Sequence, residues 1–240
     1  MAPNPIASAS ADASSTDVIV IGGGAAGLMC ARVAGQRGRR VRVIEHANRC
    51  GKKILMSGGG RCNFTNTGTT ASNFISANPH FCKSALARYT PQHFIEMVER
   101  HGIAYHEKEL GQLFCDDSSK QIVKMLLDEC ADAGVRIDTG CSVQNVQRTD
   151  DGFRVRTTLG ELRAPSLVIA TGGLSIPSMG ATGFGYELAR ASSVTPCCRR
   201  APDWCRSRSP ASIRTILPIS AAWRCRSPRT ATVANSAISC

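Results

Sequence analysis

Val18-Ile19-Val20-Ile21-Gly22-Gly23-Gly24-Ala25-Ala26-Gly27 is the stretch that decides the fold. Four β-branched residues in a row suit a strand buried on both faces, as in parallel sheets. The glycines follow it directly and satisfy G-x-G-x-x-G. A helical stretch from about Ala25 to Gln36 comes next, closed by Gly38, and Val41-Arg42-Val43-Ile44-Glu45 reads as a second strand. Strand, glycine turn, helix and strand within about 30 residues make a βαβ unit. In that context the glycines predict a dinucleotide site built on Gly22, Gly24, Ala25, Ala26 and Gly27. Gly22 permits the tight turn. Gly24 lets the backbone approach a pyrophosphate, whose charge the helix N-terminus favours. Gly27 lets helix and strand pack closely. Glu45 lies 18 residues past Gly27, where a carboxylate accepts ribose hydroxyls and repels a 2′-phosphate.

The motif alone does not separate FAD from NAD. The next segment, Gly51 to Asn66, reads as a long loop and is not linker-like: it contains Lys53, Ser57, Gly58, Gly59, Gly60, Arg61, Cys62 and Asn63. Three consecutive glycines give backbone N–H groups free access to a ligand. Ser57 and Asn63 supply neutral hydrogen-bonding groups and Arg61 a fixed cation. This chemistry suits the phosphates and polar ring edge of a flavin, and an NAD-only dehydrogenase leaves it unexplained. Leu167-Val168-Ile169-Ala170-Thr171 is another buried strand, followed by Gly172-Gly173, and the Ala170-Thr171-Gly172-Gly173 turn is expected to return beside the cofactor.

Asp17 to Asn66, with the order strand, GGGAAG, Glu45, SGGGRCNFTN, resembles the bacterial YhiN/BaiN-like flavoproteins, the BaiN/RdsA family of NAD(P)/FAD-dependent oxidoreductases. Gly111-Gln112-Leu113-Phe114, Ala170-Thr171-Gly172-Gly173-Leu174-Ser175 and Gly180-Ala181-Thr182-Gly183-Phe184-Gly185-Tyr186 are similar to the same family. The resemblance implies non-covalent FAD on the Rossmann core, a second domain inserted between the halves of that core, and flavin-dependent redox chemistry on an undefined small-molecule substrate. NAD(P)H is the implied electron donor. No catalytic acid or base is identified.

The remaining chain is read as follows. Residues 1–16 are small and polar and form an expected disordered leader. Thr90-Pro91 starts a helix to Arg100, and Ser118 or Ser119 caps another to about Ala133, stopped by Gly134. Val135–Asp138 reads as a strand. Ser142–Arg148, Phe153–Thr158 and Glu161–Ala164 read as an antiparallel meander, and Tyr186–Arg190 begins a last helix. The fold class is therefore α/β: a Rossmann-like FAD/NAD(P)-binding domain over residues 17–191, with a parallel sheet and a small antiparallel meander. Residues 192–240 are expected to lack a defined fold.

That tail differs from the rest in composition. Of the chain's +11 net charge, residues 197–240 account for +7, from eight Arg and one Asp. They hold five of the twelve cysteines and both tryptophans, and no glycine. Back-translation of Pro202-Asp203-Trp204-Cys205 in a shifted frame gives a Leu-Val pair without any choice of codon. A frameshift near residues 192–200 is the expectation, and with it a catalytically inactive nucleotide-binding fragment as the alternative to a truncated FAD-dependent oxidoreductase. Arg206-Ser207-Arg208-Ser209-Pro210 superficially suggests an RNA-binding segment, but no aromatic platform or RNA module accompanies it, so no nucleic-acid partner is expected. No stretch approaches the roughly 18 apolar residues of a membrane span, and composition points to a cytoplasmic protein. The scattered cysteines have no zinc spacing, so no metal is expected. His46 is read as a surface histidine, His80, His93, His101 and His106, on or beside predicted helices, as solvated, and Asp116-Asp117 as favourable charge at a helix start.

Overall fold

The β-branched run forms strand β1 (Val18–Ile21), and the glycine turn leads from it into helix α1 (Ala25–Gln36) and strand β2 (Val41–Ile44). The protein is described by a computed structural model covering residues 16–76, 78–174, 181–191 and 232–233. After β2 come α2 (Lys52–Met56), a 3₁₀ turn (Ser57–Gly60), β3 (Asn63–Asn66), a second 3₁₀ turn (Ala71–Asn73), α3 (Lys83–Arg88) and α4 (Pro91–Arg100). Next are β4 (Tyr105–Glu107), β5 (Gln112–Cys115), α5 (Ser119–Asp132), β6 (Arg136–Asp138), β7 (Val143–Thr149), β8 (Gly152–Thr157), β9 (Gly160–Ala164), β10 (Ser166–Ile169), α6 (Phe184–Ala191) and β11 (Thr232–Val233).

The central sheet has the order β11-β10-β1-β2-β6 and every neighbouring pair is parallel. Side chains alternate across it. Val20, Val43 and Val168 point into one core with Leu28 and Met29 of α1, Met97 of α4 and Leu126 of α5. Ile19, Ile21, Ile44 and Leu167 point the other way, onto Phe153 and Val155 of the β7-β8-β9 meander. The sheet is thus buried on both faces, by helices on one side and by the meander on the other.

Local chemistry sets the helix ends as the sequence predicts. Thr90 and His93 form a reciprocal capping box at Pro91, with the Thr90 N–H donating to His93 Nδ1 at 3.0 Å. Ser118 Oγ accepts the Lys120 N–H at 3.3 Å, and Gly134 follows α5 in the left-handed region.

Two expectations change. The segment from Gly51 to Asn66 is not one long loop: it contains α2, the 3₁₀ turn and β3. The reason is that β3 pairs with β5, which pairs in turn with β4, in a three-stranded antiparallel sheet. That pairing is non-local, so its short strands carry little signal of their own. His106, expected on or beside a helix, accordingly sits in strand β4. Of residues 192–240 the structure describes 232–233, where β11 pairs in parallel with β10 through Val168↔Thr232 and Ile169↔Val233. The leader up to residue 15, the frameshift region and the rest of the tail lie outside the described residues, as do residues 175–180 of the last resemblance motifs.

Candidate functional site

Strands β1, β2 and β10 end level with one another, with Ile21 opposite both Ile44 and Ile169. A cleft of about 370 Å³ opens beyond those ends, which is where ligands bind in open α/β sheets. Its walls come from the glycine turn, the residues that follow β2, the start of α2, and Thr171-Gly172.

The turn is built by close approach. A Cβ on Gly22, at φ +109°, would lie 2.4 Å from the Ala170 carbonyl oxygen, and a Cβ on Gly27 would lie 1.8 Å from the carbonyl oxygen of Gly22. Both positions exclude side chains so that β1, β10 and α1 can meet. Gly24 differs: a Cβ there would meet nothing within 4 Å. It is the N-cap of α1, and no side chain caps that helix. The first turn of a twelve-residue helix therefore opens onto the cleft, with unclaimed N–H groups and the positive end of the helix dipole.

Glu45 stands across from that turn and is only 8% exposed. Its Oε2 accepts the Gly23 N–H at 2.7 Å and its Oε1 accepts the Ala47 N–H at 2.8 Å. His46 Nδ1 lies 3.1 Å from Oε1. A carboxylate has about four lone-pair positions, so these contacts orient the group and leave capacity for a ribose hydroxyl. Lys53, from α2, donates to the Gly173 carbonyl at 3.4 Å and so ties the two walls together.

Of the residues expected at the site, Gly22, Gly24, Ala25, Glu45, Lys53, Thr171 and Gly172 line the cleft. Ala26 and Gly27 are buried behind it in the first turn of α1. Gly173 adjoins it through Lys53. The run Ser57 to Asn63 is not part of the cleft wall. It continues from α2 and packs toward the β3-β5-β4 sheet: a Cβ on Gly58 would lie 2.6 Å from the Phe114 ring, and the Cys115 N–H donates to the Arg61 carbonyl at 3.0 Å. Gly58 and Gly59 are consecutive left-handed residues, at φ +58° and +67°, which explains glycine at both. Arg61 is exposed, whereas Ser57 and Cys62 are buried.

Sequence reading missed part of the wall. Arg49, Lys52, Ser142, Thr182 and Phe184 also line the cleft. They arrive from separate segments, and only the neighbourhood of Lys52 to Lys53 could have marked one of them. It also missed that His106 and Asp116 pair, with Nδ1 and Oδ1 2.7 Å apart, and that the imidazole stacks on Phe114.

The seven cysteines among the described residues are buried. Burial, and then the nearby Glu45 charge, push the Cys50 thiol up to about 11. It is a neutral packing group behind Gly23, not a thiolate nucleophile. No cluster of His, Cys, Asp and Glu that could hold a metal ion is found among the described residues, and no described helix is long and apolar enough to cross a membrane.

A dinucleotide fits these residues. The space over Gly24, the uncapped end of α1 and the Glu45 carboxylate provide, in order, room for a pyrophosphate, its electrostatic partner and an acceptor for ribose. Comparison with known proteins agrees. Residues 16–197 match the HI0933-like protein Rossmann domain family. The chain is 54% identical over 173 residues to ribosomal RNA dihydrouridine synthase of Escherichia coli strain K12, covering 72% of this chain and 43% of that protein. It is 30% identical over 179 residues to 3-dehydro-bile acid delta(4,6)-reductase of Clostridium scindens, covering 73% of this chain and 44% of that protein. The chain thus spans less than half the length of these relatives. Among solved structures, 3-ketosteroid-delta4-(5alpha)-dehydrogenase of Rhodococcus jostii RHA1 shares the fold at 18% identity and a TM-score of 0.50, with 70% of this chain and 48% of that one covered. The chain belongs to the HI0933-like Rossmann family, and its α/β domain is of the FAD-binding kind.

Proposed function

We propose that this domain holds FAD for a reductase that saturates a carbon–carbon double bond conjugated to a carbonyl, and that the substrate is a uracil base of ribosomal RNA. The observation that carries the FAD assignment is the uncapped N-terminus of α1 opening onto a cleft walled by Glu45. The reaction class rests on the two relatives. Their names denote reduction at double bonds in a pyrimidine and in a 3-oxo steroid, and both bonds are conjugated to a carbonyl. The expectation of no nucleic-acid partner gives way here to the Escherichia coli relative, whose name makes ribosomal RNA the substrate to test. Cytoplasmic residence, where ribosomal RNA is found, belongs to the same reading.

In this reading Gly22 and Gly24 admit the pyrophosphate to the first turn of α1, and Ala25 and Ala26 present that turn. Glu45 holds the ribose. Lys53, Thr171, Gly172 and Gly173 close the wall between α2 and β10. The run Ser57-Gly58-Gly59-Gly60-Arg61-Cys62-Asn63 lies outside the cleft wall, and its assignment to FAD rests on its polar composition alone, as an edge for a flavin ring that extends past α2. Bound FAD supplies the hydride chemistry, with NAD(P)H as the source of electrons.

The test has two readouts. The purified chain is expected to carry FAD, released and quantified after denaturation. With NADPH and protein-free ribosomal RNA it is expected to raise the mass of a uridine by two hydrogens. Glu45→Ala removes a charged acceptor, each such bond being worth about 1.5–3 kcal/mol, so FAD affinity should fall roughly ten- to hundred-fold, with Glu45→Gln losing less. Flavin content equal to wild type in Glu45→Ala would remove Glu45 from the site.

A second reading, an inactive nucleotide-binding fragment, is favoured by coverage, because the matched relatives are more than twice the length of the aligned region. It predicts FAD retention with no turnover of RNA.

A further inference from the structure

Residues 46–95 contain no Asp or Glu, although the chain has 18 acidic residues in 240. The same run carries Arg49, Lys52, Lys53, Arg61, Lys83 and Arg88. Elsewhere most described arginines meet carboxylates: Arg32 pairs with Glu129, Arg42 with Asp138 and Arg154 with Glu161. Arg61, Lys83 and Arg88 are exposed, and none of the ion pairs among the described residues involves them. A cation without a carboxylate nearby keeps its full attraction for an outside anion.

The far part of this run is built as a platform. Phe74 and Cys82 form a small apolar cluster of their own, apart from the two main cores, with Ala71 and Leu86 packed against it. Phe81 meets Phe74 edge to face, with centroids 6.3 Å apart. Yet Phe81 stays 47% exposed and Ile75 62% exposed. Around them the surface is amide, hydroxyl and imidazole, with Asn78 accepting the His80 N–H at 3.0 Å and Asn73 the Thr70 N–H at 2.7 Å. Exposed aromatic and aliphatic faces and exposed cations, on a run that itself carries no carboxylate, match an unpaired RNA strand: bases stack on the rings and phosphates meet the cations.

We infer that residues 71–76 and 78–88 form an RNA-binding face, with Phe81 stacking a base and Lys83 and Arg88 contacting phosphates, and that the acid-free run back through Arg61 and Lys52 keeps the approach to the cleft attractive to the same strand. This rests on the RNA reading of the substrate. It makes the protein's specificity one of a single-stranded or loop region and not of a regular duplex.

The test uses the whole chain with FAD bound and a short RNA hairpin with a uridine-rich loop as probe. Binding is followed by fluorescence anisotropy over a salt series. Contacts are mapped by photocrosslinking of 4-thiouridine in the loop. Lys83→Glu/Arg88→Glu should weaken binding about tenfold at low salt and reduce the salt slope by about two. Phe81→Ala should weaken loop binding and remove the main crosslink. Arg39→Glu/Lys120→Glu, exposed charges outside this run, should change little. All variants should retain FAD and their melting temperature. Wild-type binding unaltered by the 83/88 and 81 variants, or crosslinks confined to residues 192–240, would overturn this face while leaving the RNA reading in place. A wild-type chain that retains FAD and binds no RNA would overturn both.

Discussion

Gly27→Ala is expected to abolish FAD retention and to cost about 3 kcal/mol or more of stability, at or above the usual range for forcing an added group into a packed site. A methyl group there would lie 1.8 Å from the Gly22 carbonyl oxygen and near the Ala170 side chain. Neither obstacle can step aside. The oxygen belongs to the turn, and Ala170 follows β10 at the cleft wall. Helix α1 must therefore move off β1, and its open N-terminus moves with it. Gly24→Ala is the matched control, because a Cβ there meets nothing within 4 Å. That variant should fold normally and lose FAD affinity only. Thermal melts and flavin quantification on the two proteins check both halves. Equal melting temperatures for Gly27→Ala and wild type would show that α1 is not seated on the turn as described.

Glu129→Ala is expected to destabilise the protein by about 2 kcal/mol. This is below the roughly 3–5 kcal/mol known for removing one partner of a fully buried pair, because water reaches part of the cluster and screens it. Glu129 lies on α5. It pairs with Arg32 of α1, with His101 after α4 at 3.0 Å and with Arg100 at 3.6 Å. The side chains of Glu129 and Arg32 are each 12% exposed, so the variant strands the guanidinium between two helices. Burial works to raise the Glu129 carboxyl, but the hydrogen bonds from His101 and Arg32 outweigh it and hold the group below its ordinary 4.5. A carboxyl depressed by folding stabilises above its unfolded value and loses that contribution as pH falls through the folded value. The gap between wild type and variant should thus be full at pH 7 and shrink below about pH 4.5. Urea midpoints at pH 7 and pH 4 measure it, and a gap that does not narrow in acid would mean that Glu129 acts by packing alone.

Much of this protein is written locally. The βαβ unit is legible because a β-branched run, a glycine motif and a closing acid stand in order within one segment. The starts of α4 and α5 are legible because Thr90-Pro91 and Ser118 act on N–H groups two or three residues away. The meander β7-β8-β9 is legible because its turns join strands that pair with their sequence neighbours. By contrast, β3 is four residues long and takes its shape from β5, nearly fifty residues on. No window of sequence contains both partners, so the same residues read as loop.

The candidate site divides in the same way. Gly22, Gly24, Gly27 and Glu45 are visible in the sequence, since each acts through the backbone or through a carboxylate at motif spacing. Thr171 and Gly172 are visible as a turn after a buried strand. The rest of the wall is not: Arg49, Thr182 and Phe184 come together only because parallel strands bring their carboxyl ends level. The dinucleotide turn, the parallel core and the acid-free run follow from residue type and short spacing alone. Only the tertiary structure decided that the Ser57–Asn63 run turns toward Phe114 outside the cleft, that His106 meets Asp116, and that Glu129 joins three helices. Those contacts depend on where distant segments settle once the two faces of the sheet are buried, and no local preference encodes that.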